Sequence, residues 1–199
     1  VINELRTLPE ELRDRVGSLL VAAEWALEDE EPEKALEFTK EAKRLAGRVA
    51  CVREAHGITA YRNGDYSDAL AELRAVRRMN GDDSFTPMMA DCERGLGRPE
   101  RALEELRAYR PRDTSSRIES AIVAAGARSD MGQHDAALVL LDIPEMSSLP
   151  AGGERARLQY AYAATLEALG RTDEAREWFA KAAASDVDDE TDAADRLTP

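Results

Sequence analysis

The sequence predicts an all-α protein: an α-solenoid of about five antiparallel helix pairs. Three observations carry that expectation. Five times a small residue is followed twelve positions later by an alanine, at Ala23–Ala35, Gly57–Ala69, Ala90–Ala102, Ala125–Ala137 and Ala163–Ala175. In four of the five a glycine stands five residues before that alanine, at Gly64, Gly97, Gly132 and Gly170. The second alanines advance by 34, 33, 35 and 38 residues, the length of one helix–turn–helix unit. Such a unit cannot bury its apolar face alone, so copies of it stack on one another.

The elements follow in order as one repeat domain, 1–199, with units at about 8–48, 49–80, 83–111, 114–144 and 153–186. Residues 8–29 read as a first helix begun by Pro9, with Glu10 and Glu11 at the positive end of its dipole. Its partner, 31–47, has Lys43 and Arg44 in the last turn and Gly47 at its close. The second unit shows the logic best. Gly57 and Ala60 share a face, and Gly64 closes the helix in the left-handed conformation. Asp65 caps a second helix that carries Ala69, Leu73 and Val76 on one stripe. With Gly57 and Ala69 both lacking bulk, the two helices can approach closely.

Asp83 or Ser84 is expected to cap the next helix, which runs to about Leu96 with Pro87 in its first turn. Residues 100–110 follow, stopped by Pro111. Asp113, Thr114 or Ser115 caps a helix through Met131. Its partner, 134–143, is apolar nearly all round, which predicts the most buried helix of the chain, ended by Pro144. Residues 145–153 read as the one true linker. The last pair spans about 154–169 and 172–185, and the acidic stretch 187–199 reads as a tail or a short capping helix.

RNGDYSDAL (62–70), GLGRPERAL (95–103), DMGQHDAAL (130–138) and ALGRTDEAR (168–176) resemble the tetratricopeptide repeat (TPR) family. The resemblance extends over residues 17–186 and implies a degenerate, right-handed TPR-like array. The first unit departs from the pattern with Glu30 at the turn, and Tyr109 and Pro144 stand where a small residue is expected. The family binds protein segments on the concave face formed by its first helices. By register that face includes Glu54, Ile58, Tyr61, Arg62, Met88, Asp91, Arg94, Ile122 and Tyr160. Tyr61 and Arg62 beside Asp91 and Arg94 form a candidate hot spot, or alternatively Tyr61 packs between units and Arg62 is solvated. Members that grip a C-terminal carboxylate use a Lys/Asn pair flanking the small residue of the first helix. Here those sites hold Leu20/Glu24, Glu54/Ile58, Pro87/Asp91, Ile122/Gly126 and Tyr160/Ala164, so that clamp is absent.

Composition narrows the function further. The net charge of −13 argues against a nucleic-acid surface. Acid concentrates at the two ends of the chain, whereas 42–80 holds a basic island of Lys43, Arg44, Arg48, Arg53, Arg62, Arg74, Arg77 and Arg78. That island reads as a solvated face, or as a seat for an acidic peptide or the acidic end of a second copy. No stretch approaches the ~20 apolar residues of a membrane span. Cys51 and Cys92 belong to no Cys-x-x-Cys pair and read as small buried residues, in keeping with a reducing compartment. His56 and His134, the two histidines, lie in different units, and no metal or phosphate motif is evident, so no cofactor, metal site or catalytic residue is expected. Scarce lysine beside abundant Arg and Ala suggests a bacterial gene. The sequence therefore predicts a non-catalytic, cytoplasmic interaction module that binds a partner protein or peptide. Alternatives are a homo-oligomeric scaffold or an accessory regulatory subunit of an enzyme.

Overall fold

The computed structural model describes residues 2–187 and 189–198. Twelve α-helices and one 3-10 turn succeed one another, with no strand among the described residues. The chain divides into two compact units, 1–97 and 98–199. The division falls at the turn between Gly97 and Arg98, inside the third predicted hairpin.

In the first unit α1 (Ile2–Leu5) precedes two complete hairpins, α2 (Glu10–Glu28) with α3 (Pro32–Ala46) and α4 (Ala50–Arg62) with α5 (Tyr66–Asn80). α6 (Thr86–Gly95) ends it. Each helix from α2 onward packs on the next, and α2 also meets α4. Ala23, Ala26 and Ala35 are buried between α2 and α3, flanked by Leu27 and Phe38. Ala60, Ala69, Leu73 and Met89 form the next core cluster. Gly57 is a position of forced proximity, but its neighbour is Leu73 rather than Ala69. A Cβ added there would lie 2.9 Å from Leu73 Cδ2, inside contact distance.

The turns share one closure. Gly64 has φ 77°, and the amide of Asp65 reaches back to Ala60 O at 2.8 Å. The bond from Gln133 N to Arg128 O is likewise 2.8 Å long, and that from Arg171 N to Leu166 O is 3.0 Å. This is the hydrogen bond that ends a helix through a left-handed residue. Glu30 makes the same turn without glycine. Its φ is 58°, and Glu31 N bonds Ala26 O at 2.7 Å. The degenerate first repeat therefore keeps the geometry at a strain cost of about 1–2 kcal/mol for a left-handed side-chain-bearing residue.

Two expected caps differ. Gly47 follows α3 with φ −65°, so it is not a left-handed cap. Phe85, not Asp83 or Ser84, holds the cap position of α6, with no side-chain cap bond. Asp82 accepts from Ser84 N at 2.9 Å, and Asp83 O accepts from the Thr86 hydroxyl at 2.6 Å. Asp65 and Asp113 do cap as expected, accepting from Asp68 N and Ser116 N.

The second unit holds α7 (Pro99–Ala108), α8 (Thr114–Asp130), α9 (His134–Leu141), α10 (Glu145–Ser148), α11 (Gly153–Ala168) and α12 (Thr172–Ser185). Here α7 and α9 pack on α8, and α11 packs on α8, α9 and α12. The expectation for α9 is corrected. Only Ala137, Leu138 and Leu141 are buried, while Val139 is 75% exposed. Apolar residues all round do not create neighbours all round, and one side of this short helix faces solvent. It ends at Leu141, and Pro144 instead caps α10. The expected linker thus contains a helical turn, anchored by buried Met146. Near the C-terminus Ala193 is buried and a 3-10 turn at Asp195–Leu197 packs on α12. Asp188 and Pro199 of the expected tail lie outside the described residues.

Replacing Glu30 by glycine is expected to raise the unfolding free energy by about 1 kcal/mol, by removing the left-handed strain. Urea unfolding of the variant beside wild type measures it. An unchanged or lower midpoint would contradict the strain at this turn.

Candidate functional site

The first helices α2 and α4 of the first unit run side by side and leave a groove of about 330 Å³ between them. Leu20, Val21 and Leu27 of α2 line it from one side, Cys51 and Ile58 of α4 from the other, and Leu5 of α1 reaches the same space. α1 is held there because the Glu4 carboxylate accepts from Cys51 N at 3.0 Å, which caps α4. Two carboxylates, Glu24 and Glu54, break this apolar lining. Neither has an ion pair among the described residues. Burial pushes the Glu54 carboxyl above the usual glutamate range, reinforced by the charges of Glu4 and Asp82. An apolar groove with two unpaired acids is suited to a segment that offers an aliphatic or aromatic side chain and a cation.

Tyr61, Asp91 and Arg94 are brought together next to it. The Tyr61 hydroxyl donates to Asp91 at 2.6 Å, and Arg94 donates to the other Asp91 oxygen at 2.7 Å. Burial, followed by Asp91, drives the Tyr61 hydroxyl far above its ordinary pKa. The Tyr66 ring meets Tyr61 edge-on at 5.9 Å, and Gly95 lies so close beneath it that a Cβ would fall 2.4 Å from the ring. Met88 packs in the same cluster. Tyr61 therefore packs between repeats, as one of the two readings has it, and Arg62 is exposed. Glu54 and Ile58 are the residues of the expected set that line the open groove.

Ile122 and Tyr160 belong to the second unit. Ile122 packs partly buried against the cluster of Leu141 and Leu158. Tyr160 meets Phe179 edge-on at 5.3 Å. Its hydroxyl is pushed up to about 12, first by burial and then by a hydrogen bond to Asp192. The sequence reading missed Glu24, Leu20 and Leu27. The signal was present, since Leu20 and Glu24 occupy the register in the first repeat that Glu54 and Ile58 occupy in the second.

Behind the groove a buried polar row crosses three helices. Thr39 Oγ1 lies 3.0 Å from His56 Nδ1, and His56 Nε2 lies 2.8 Å from Asp68 Oδ2. Burial pulls the His56 pKa down, Lys43 adds to that, and Asp68 opposes it. Lys43 and Arg53 both pair with Glu72, at 2.9 and 2.7 Å. The order Thr–His–Asp is that of a nucleophile and its base, but Thr39 is fully buried and bonded to Thr59 at 2.7 Å. Its hydroxyl cannot meet a substrate. Cys51 and Cys92 are buried and in no disulfide, and burial pushes the Cys92 thiol up to about 12. Among the described residues no group of three or more His, Cys, Asp or Glu is placed to hold a metal ion. No described helix is long and apolar enough to cross a membrane.

Comparison with known proteins agrees with this architecture. Residues 54–117 match the family model described as tetratricopeptide repeat. A Podosopora anserina protein named for kinesin light chain, of nearly identical TPR-like repeats, is similar in fold. At 18% identity and TM-score 0.63 the match covers 86% of this chain and 94% of the other. YrrB, a TPR protein with an unusual peptide-binding site, is similar at 20% identity and TM-score 0.50, over 86% of each chain. No curated protein matches. The helical-hairpin fold is thus similar to that of TPR-like repeat proteins, and residues 54–117 carry the repeat match itself.

Glu54→Gln is expected to raise the melting temperature at pH 7. A carboxyl whose pKa is raised by folding binds its proton more readily in the native state, so its ionisation destabilises the fold as pH rises. The gain should shrink as pH falls through the carboxylate range, where wild-type Glu54 is itself neutral. Melting curves from pH 4 to 7 measure this, and a gain independent of pH would contradict the shift.

Proposed function

We propose that the chain is a non-catalytic adaptor whose α2–α4 groove binds a segment of a partner protein bearing an apolar side chain beside a lysine or arginine. The observation that carries this reading is the pair Glu24 and Glu54, acids without a cation of their own in an apolar channel. Leaving a half-buried Glu54 unpaired costs stability, and a ligand cation would offset that cost. Ile58 and Leu20 supply apolar contact, while exposed Arg62 and part-buried Met88 flank the site. Tyr61, Asp91 and Arg94 act as the brace that fixes α4 against α6. The peptide-binding site named for YrrB supports the class of ligand. Two buried cysteines outside any disulfide support a reducing compartment such as the cytoplasm. The partner can equally be an enzyme that the module serves as an accessory subunit.

The test is selection of peptides from a random display library on the immobilised chain, followed by fluorescence anisotropy with a labelled synthetic copy of the best binder. The expected winners combine an apolar residue with Lys or Arg, and Glu24→Lys/Glu54→Lys should weaken them at least tenfold. Acidic winners, or affinity indifferent to both substitutions, would refute the groove as the site.

A further inference from the structure

The first unit has a second concavity, formed where α3 ends and α4 begins and separate from the α2–α4 groove. It measures about 730 Å³. Leu8, Leu45 and Val49 give it an apolar floor, and Lys40, Arg44 and Arg48 stand among the basic residues that line it. The deeper cations Lys43 and Arg53 are spoken for by Glu72, and Arg44 is held by Glu41 through two bonds of 2.8 Å. Lys40 and Arg48 are exposed and form no ion pair among the described residues. The surplus at this site is therefore two positive charges over an apolar floor. A bare inorganic anion would leave Leu8, Leu45 and Val49 uncovered. A peptide segment with one aliphatic side chain and neighbouring carboxylates matches both properties.

The chain itself carries such a segment. Val187 is 66% exposed, and acids stand on both sides of it at Asp186, Asp189 and Glu190. Described residues beside it are tied to one another by hydrogen bonds. The Asp186 carboxylate accepts from Glu190 N at 2.8 Å, from Thr191 N at 2.7 Å and from the Thr191 hydroxyl at 2.6 Å. Those bonds hold its carboxyl below the usual range. Asp189 is exposed and has no partner among the described residues, so its charge is available.

We infer that the basic-rimmed pocket of one copy receives the Val187 loop of a second copy. Val187 enters between Leu8, Leu45 and Val49, and Asp189 faces Lys40 and Arg48. The net charge of −13 opposes association, but screening confines that repulsion to about 8 Å at physiological salt, whereas the opposite charges here are in contact. The two surfaces differ, so the contact is heterologous and joins copies head to tail. It is independent of the groove proposed for partner segments, whose residues it does not use.

Sedimentation equilibrium of the full chain, from about 10 μM to about 1 mM near physiological salt, tests it. The average mass of wild type should rise with concentration. Lys40→Gln/Arg48→Gln and, separately, Val187→Ser/Asp189→Ser alter exposed side chains, and each variant should stay monomeric over the range. An equimolar mixture of the two should form dimers and nothing larger, because one intact pocket then meets one intact loop. A wild type that stays monomeric, variants that associate like wild type, or a mixture that fails to dimerise would each overturn the inference.

Discussion

The array rests on how closely the two helices of a hairpin can approach. At Gly57 the backbone of α4 meets the side chain of Leu73, leaving no room for a methyl group. Ala60 and Ala69 are fully buried in the same interface. This contact lets a core poor in aromatic residues reach the density that buried helices require. It also sets the position of α4 relative to α5, and through it everything that α4 displays: Glu54 and Ile58 toward α2, Tyr61 toward α6, and His56 toward α3 and α5.

Polar links between neighbouring repeats complement this packing. Tyr61 to Asp91, Lys43 to Glu72, and fully buried Glu93 to Arg74 at 2.8 Å each join one helix pair to the next, while Arg53 to Glu72 ties α4 to α5 within a pair. Such links are directional where aliphatic packing is not, so they fix register between repeats that would otherwise slide. In the second unit Arg117 with Glu145 and Arg157 with Glu119, both at 2.6 Å, tie α8 to α10 and α11. The groove differs from all of these because Glu24 and Glu54 have no ion-pair partner among the described residues.

What the sequence made legible were features with a local physical signature. Glycine at the turns is readable because a left-handed residue at fixed distance from a buried alanine has few alternatives. The repeat places the first turn at Glu30, but not its left-handed conformation, which the backbone keeps without the residue that announces it. The exposure of Val139 was not readable, because an apolar periodicity says which residues are available for burial and not which sides of a helix have neighbours. The row Thr39–His56–Asp68 joins three helices, and no spacing rule within one helix reveals it. Tyr61 and Asp91 could be placed on one face by register, but whether they bond each other or a ligand depends on a separation that only coordinates supply. Glu24 was placed by the same register as Glu54 and Ile58, but the spacing does not show that α2 and α4 open a groove between them.

A double-mutant cycle at Gly57 and Leu73 tests the governing contact most directly. Gly57→Ala places a methyl against Leu73 and should destabilise by about 1–3 kcal/mol, the usual cost of overpacking. Leu73→Ala alone should also destabilise, by leaving a cavity. The double variant should lose less than the two together, because the added methyl then occupies vacated space. Unfolding free energies that add within error, or a Gly57→Ala variant as stable as wild type, would show that the approach of α4 to α5 does not depend on this contact.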